Sequence, residues 1–129
     1  MLILTIRTDK PAAELGLYDD AEQLAYHAWE AHRQLAETIN AQLRQLLADK
    51  EHSLPNLQGI VVYKGPGSFT GLRIGLSVAN SLADALQIPI VAVTGDDWLQ
   101  TGLTRLAAGD NEQLATPEYG APPNITLPK

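Results

Sequence analysis

From Val61 to Leu86 the chain reads VVYKGPGSFTGLRIGLSVANSLADAL, and this stretch narrows the fold more than any other. It is a buried-type strand, a glycine-rich turn and then a helix. Gly65, Gly67 and Gly71 permit backbone angles and close approaches that a side chain would block, and Pro66 stiffens the first two. Ser68 or Thr70 is placed to cap the helix by accepting its orphan N–H groups. A helix start of this kind can hold an anion, so Gly65, Gly67, Ser68 and Thr70 are candidate anion-binding positions. The same pattern serves equally as a tight connection whose donors are met internally. No Lys-Ser or Lys-Thr pair follows, which excludes a Walker loop, and the glycine spacing is not the dinucleotide fingerprint.

The helix after the turn has an unusually wide apolar surface. At about 100° per residue, Arg73, Ser77, Asn80, Ser81 and Asp84 fall on one narrow polar arc. Gly71, Gly75, Ala79 and Ala83 recur every fourth residue, with Ile74, Val78, Leu82 and Leu86 beside them and Leu72 and Leu76 widening the sector. That is roughly twice the ~100° arc needed to pack on one sheet face. A small-residue stripe admits a second backbone at close range. Its neighbour is expected to be either another helix of this chain or a helix of a partner.

The remaining elements follow from periodicity and turn chemistry. Leu2–Arg7, Glu14–Tyr18 and Gln23–Trp29 read as three strands of an antiparallel meander, joined by turns at Asp9 to Pro11 and at Asp19-Asp20. His32–Asp49 carries Leu35, Ile39, Leu43, Leu46 and Leu47 at helical spacing, and the weak stretch after it reaches Pro55. Gly59–Tyr63 and Ile90–Val93 are buried-type strands. Asp96 or Asp97 is positioned to cap a last helix running through Leu106. Residues 1–108 are therefore expected to form one domain and 109–129 a Pro/Gly-rich tail.

With right-handed crossovers, this order predicts a mixed five-stranded sheet in the order 3-2-1-4-5 with three helices. That is the ribonuclease H-like fold, which actin-like ATPases (the ASKHA class) use as a half-unit. The 129 residues suffice for one core. The absence of cysteine excludes disulfides and thiolate metal sites and suits a reducing cytoplasm. The opening MLILTIRTDK is too briefly apolar for a signal peptide, and no run is of membrane-spanning length. A net charge of -6 argues against gripping a nucleic-acid backbone unaided. The acidic excess of residues 96 to 118, with Arg105 as its single cation, reads as a solvated face.

Three segments together, LILTIRTD, HRQLAETINAQLRQLL and GIVVYKGPGSFTGLRIGLSVANSLADALQIPIVAVTGDDWL, resemble the TsaB/YeaZ family over about the first hundred residues. The resemblance implies a non-catalytic subunit for making threonylcarbamoyladenosine next to the tRNA anticodon. It also implies pairing with the catalytic subunit TsaD through the first two helices, with a TsaE-like ATPase as a further partner and tRNA met through the complex. No cofactor is implied. Carried onto this sequence, the partner interface is His32, Leu35, Ala36 and Ile39 on the first helix and Gly71, Leu72, Gly75, Ala79 and Ala83 on the second. Unpartnered, the same face is expected to make a homodimer.

The sequence departs from the family at two places. Where the family's first strand ends in an acid, this chain has Arg7, and a guanidinium cannot coordinate a metal ion. The second lobe expected after the third helix is largely missing, although TPEYG resembles the family's closing segment, with Pro117 and Tyr119 matching and Gly120 standing for its leucine. An enzyme reading finds little support. His27, His32 and His52 do not make a zinc motif, and no nucleophile-elbow pattern surrounds Ser53, Ser68, Ser77 or Ser81. The alternative kept open is an actin-like module that binds a nucleotide or anion with little turnover.

Overall fold

The structure is a computed structural model that describes residues 1–118, except the side chains of His32 and Phe69. The chain runs β1 (Leu2–Arg7), β2 (Ala12–Asp19), β3 (Glu22–Glu30), α1 (Leu35–Ala48), β4 (Gly59–Tyr63), α2 (Phe69–Leu86), β5 (Ile90–Val93) and α3 (Trp98–Ala107). The strands form one sheet in the order β3-β2-β1-β4-β5. β1 pairs antiparallel with β2 and parallel with β4, and β4 pairs parallel with β5. This is the expected ribonuclease H-like, actin-like topology.

Alternation along β1 sorts the two faces. Leu4 and Ile6 lie opposite Leu17 and Leu15 of β2, and all four are buried with Leu43 and Leu47 of α1 and Leu72, Leu76 and Ala79 of α2. On the other face α3 covers β4 and β5. Gly102 lets α3 come down onto Val61, and a Cβ there would overlap the Val61 methyls. The parallel strands β4 and β5, the second of them at the sheet's edge, are buried at every position, as parallel strands covered on both faces must be.

Element boundaries differ from expectation by a few residues. β2 and β3 are longer because the hairpin is tight: Asp20 adopts φ 53°, a left-handed conformation that Asp tolerates, so pairing continues to the turn. α1 begins at Leu35, after a short 3-10 turn over His32–Gln34. α2 begins at Phe69 with Ser68 at its N-cap, and α3 has Asp97 there, yet neither side chain makes a capping hydrogen bond. A further 3-10 turn, Leu54–Asn56, contains Pro55, and its Asn56 side chain accepts the Ser53 N–H at 2.8 Å.

Beyond the expected domain end at 108 the chain stays against the sheet. Residues 110–118 run along the outer side of β5, cross to α2 and return to β4, where the Glu118 N–H donates to the Lys64 carbonyl at 2.7 Å. Ala115 is buried, and the Asn80 amide of α2 both donates to its carbonyl (2.9 Å) and accepts its N–H (2.8 Å). Asn80, expected on the polar arc, is thereby half-buried. Tyr119 and Gly120, with the rest of 119–129, lie outside the described residues.

Candidate functional site

Where an actin-like half-unit carries its catalytic acid, at the end of β1, this chain places a cation on an aromatic platform. The Arg7 guanidinium lies 4.0 Å above the centroid of the Tyr63 ring and 5.8 Å from that of Trp98. Arg7 Nε donates to Asp9 Oδ1 at 2.8 Å and Nη2 to Asp9 Oδ2 at 3.2 Å, a fork matched to the carboxylate. The hydrogen bond to Asp9 raises the Arg7 pKa further, despite partial burial, so the group remains a cation. Trp98 meets Tyr63 edge-on at 5.8 Å and occupies the space beside it. Among the described residues no group of three or more His, Asp or Glu is placed to hold a metal ion.

The glycine-rich turn packs on this plug. A Cβ at Gly67 would overlap Asp9, and one at Gly65, whose φ is +117°, would overlap the Glu118 carbonyl. The Ser68 N–H donates to the Asp9 carbonyl at 3.1 Å. The candidate anion positions Gly65, Gly67 and Ser68 therefore pack against other parts of the chain, while Thr70 is exposed at the start of α2.

The small-residue stripe of α2 also turns inward. Gly71 makes room for the Thr8 carbonyl and Gly75 for the Thr8 hydroxyl, which donates to the Gly71 carbonyl at 2.7 Å. Leu72 and Ala79 are 0% exposed and Ala83 4%. Leu72, Gly75, Ala79 and Ala83, expected at a partner interface, are buried within this chain. The backbone that the stripe admits belongs to the loop after β1.

What α2 presents outward is an open groove beside α1, about 440 Å³, with Ala36, Ile39, Ile74 and Val78 as its apolar lining and Asn40, Thr70, Arg73 and Ser77 as its polar lining. Ile39 is its buried floor, Leu35 packs below, and Ala36 is exposed. A second groove of about 470 Å³ shares Thr70 and Ile74 and continues past Leu35 and Gly71 to Lys10 and Arg33. The structure therefore brings Leu35, Ala36, Ile39 and Gly71 together along one helical seam. Ile74 and Val78, which line it, were not among the expected interface residues. Their signal was present in the sequence as the apolar stripe adjacent to the small one. His32 opens the 3-10 turn, and its side chain lies outside the description.

His27, on β3, stacks on Trp29 with ring centroids 5.7 Å apart. Trp29 Nε1 in turn donates to Thr38 Oγ1 of α1 at 3.0 Å, so this pair helps seat α1 on the sheet.

The sheet order, the helices on its two faces and the turn beneath α2 define a ribonuclease H-like half-unit of the actin-like class. The same topology recurs in RuvC of Thermus thermophilus, with a TM-score of 0.55 at 13% identity over 92% of this chain and 85% of that one, a likeness of fold alone. The model of the family described as TsaD, tRNA N6-adenosine threonylcarbamoyltransferase, matches residues 28–101. The TsaB protein of Escherichia coli, named for tRNA threonylcarbamoyladenosine biosynthesis, is 31% identical over 120 residues, covering 88% of this chain and 52% of that protein. YeaZ from Pseudomonas aeruginosa superposes with a TM-score of 0.67 at 32% identity, over 72% of this chain and 43% of that one. The chain belongs to this family, on its TsaB/YeaZ branch. It spans about half the length of the relatives it matches.

Proposed function

We propose that the chain is a non-catalytic scaffold subunit in the threonylcarbamoylation of tRNA adenosine next to the anticodon, and that it pairs with a TsaD-like catalytic subunit. The observation that carries this reading is the open apolar seam between α1 and α2, lined by Ala36, Ile39, Ile74 and Val78. A pair of partner helices laid into it would bury those side chains and complete a four-helix packing. The end of β1, where metal or phosphate chemistry would otherwise sit, is occupied by Arg7, Tyr63 and Trp98. Binding one conformation of the partner more tightly than another is enough to bias it toward activity.

The net charge of -6 supports contact with tRNA through the complex, and a TsaE-like ATPase would join at that level. Alone, the chain would cover its seam with a second copy about a two-fold axis. Co-purification with the TsaD-like protein of the same genome, followed by a tRNA modification assay with and without this chain, tests the reading. Capture of the partner and a modification rate that depends on this chain are expected. Failure of the pair to associate at micromolar concentration overturns it.

A further inference from the structure

The β5 strand ends the sheet, and its outward edge is closed by the chain itself. On the inner side the Ile60 N–H donates to the Pro89 carbonyl at 3.0 Å and the Lys64 N–H to the Val93 carbonyl at 2.9 Å. Odd-numbered residues of β5 thus face β4, and Ile90 and Ala92 turn their backbone groups away from the sheet. All four of those groups have partners. The Ile90 N–H donates to Asn111 Oδ1 at 3.1 Å, and the Ile90 carbonyl accepts the Glu112 N–H at 2.8 Å. The Ala92 N–H donates to Glu112 Oε2 at 2.8 Å, and the Ala92 carbonyl accepts from Arg105 Nη1 at 3.1 Å.

Three of these four bonds come from side chains, so the edge is satisfied without a new strand being built. The side chains are themselves fixed. Arg105 is paired with Asp110 at 2.6 Å and with Glu112 at 2.9 Å, and Asn111 Oδ1 also accepts the Gln113 N–H at 2.9 Å. The strand they cover, Ile-Val-Ala-Val, is uncharged, largely β-branched and buried throughout. An uncovered edge of that composition is a template for further pairing.

We propose that Arg105, Asn111 and Glu112 form an edge guard that occupies the place where β5 of a second copy would otherwise pair with this one. The occupant excluded is a second β5 because an uncharged four-residue edge is self-complementary about a two-fold axis. The inference is independent of the α1/α2 seam. It gives the acidic residues 110 and 112, expected only to be solvated, a structural task.

The test compares the full chain with Asn111→Ala/Glu112→Ala by amide hydrogen exchange and sedimentation velocity, both in a Val78→Arg background that removes the helical seam from the association. In the parent, the Ile90 and Ala92 amides are expected to exchange as slowly as that of Val91, which faces β4. In the variant both are expected to accelerate roughly 10- to 100-fold, the loss of a charge-assisted or neutral hydrogen bond, and a concentration-dependent dimer is expected. Glu112→Gln, which keeps an acceptor for Ala92, is expected to protect that amide. If the double variant does not fold, Glu112→Ala alone is read in the same way at Ala92. Fast exchange at Ile90 and Ala92 in the parent overturns the proposal, as does a folded variant that stays monomeric at all concentrations.

Discussion

Thr8 and Gly75 are in direct contact. The hydroxyl that donates to the Gly71 carbonyl occupies the space a Cβ at position 75 would need. Gly75→Ala is therefore expected to destabilise the fold by about 2 kcal/mol or more, in the range of overpacked cores, and Gly75→Leu to prevent folding. Adding Thr8→Ala is expected to recover part of the loss in the Gly75→Ala chain. Urea denaturation of the single and double variants measures this coupling. Equal stability of Gly75→Ala and the parent would show that the contact is absent in solution.

Surface variants of the same helix should behave differently. Val78 and Ile74 are half-buried at the seam, with room for a longer side chain to reach solvent. Val78→Arg and Ile74→Arg are expected to leave the unfolding midpoint nearly unchanged and to remove association with a TsaD-like partner or a second copy, since a charge without a partner in an apolar interface centre costs several kcal/mol. Pull-down and light scattering report the two losses. Ala79→Arg, by contrast, is expected to unfold the chain, because Ala79 is fully buried.

This contrast shows where the sequence was legible. The sheet order, all five strands and the three helices could be read from periodicity and punctuation, because β4, β5 and α2 bear strong patterns with Gly and Pro at their ends. Width of the apolar arc on α2 was also legible, but which neighbour met which stripe was not. Gly71, Gly75 and Ala79 state that some backbone comes close without naming it, and the answer depends on the long-range pairing of β1 with β4. The return of 110–118 was equally hidden. Its partners Asn80, Ile90 and Ala92 lie about twenty to thirty-five residues away in sequence and carry no local signal. Arg105, Asp110 and Glu112 were visible only as charge.

Arg7 predicts both stability and the absence of nucleotide chemistry. Replacing it with Ala removes the cation–π contact and leaves Asp9, whose side chain is 8% exposed, without its ionic partner. A loss of about 1–3 kcal/mol is expected. Lys at this position restores charge but neither the fork nor the planar stack, so Arg7→Lys should recover less than half. Isothermal titration of the parent with ATP or ADP and magnesium is expected to give no binding heat, and saturable heat would favour the nucleotide-binding alternative.

The pH dependence is set at the alkaline end. Burial pushes the Tyr18 phenol above its ordinary value of 10.0, and burial followed by the Glu14 carboxylate does the same for Tyr26. A raised folded-state value means that the native chain holds its proton more tightly than the unfolded chain. The associated stability is present in full below pH 10 and is lost as pH rises through 10 and past the native values. Arg7 shifts in the same sense, but from an ordinary value already far above the tyrosine range, so it contributes no slope there. Denaturation midpoints are therefore expected to hold up to about pH 10 and to decline above it. Tyr18→Phe, which also gives up the 3.0 Å hydrogen bond from the hydroxyl to Gln23 Oε1, is expected to lower stability at pH 8 and to flatten the decline. The Tyr18 phenolate absorbance should rise with the unfolding transition instead of ahead of it, and early ionisation of Tyr18 in the native chain would contradict its burial.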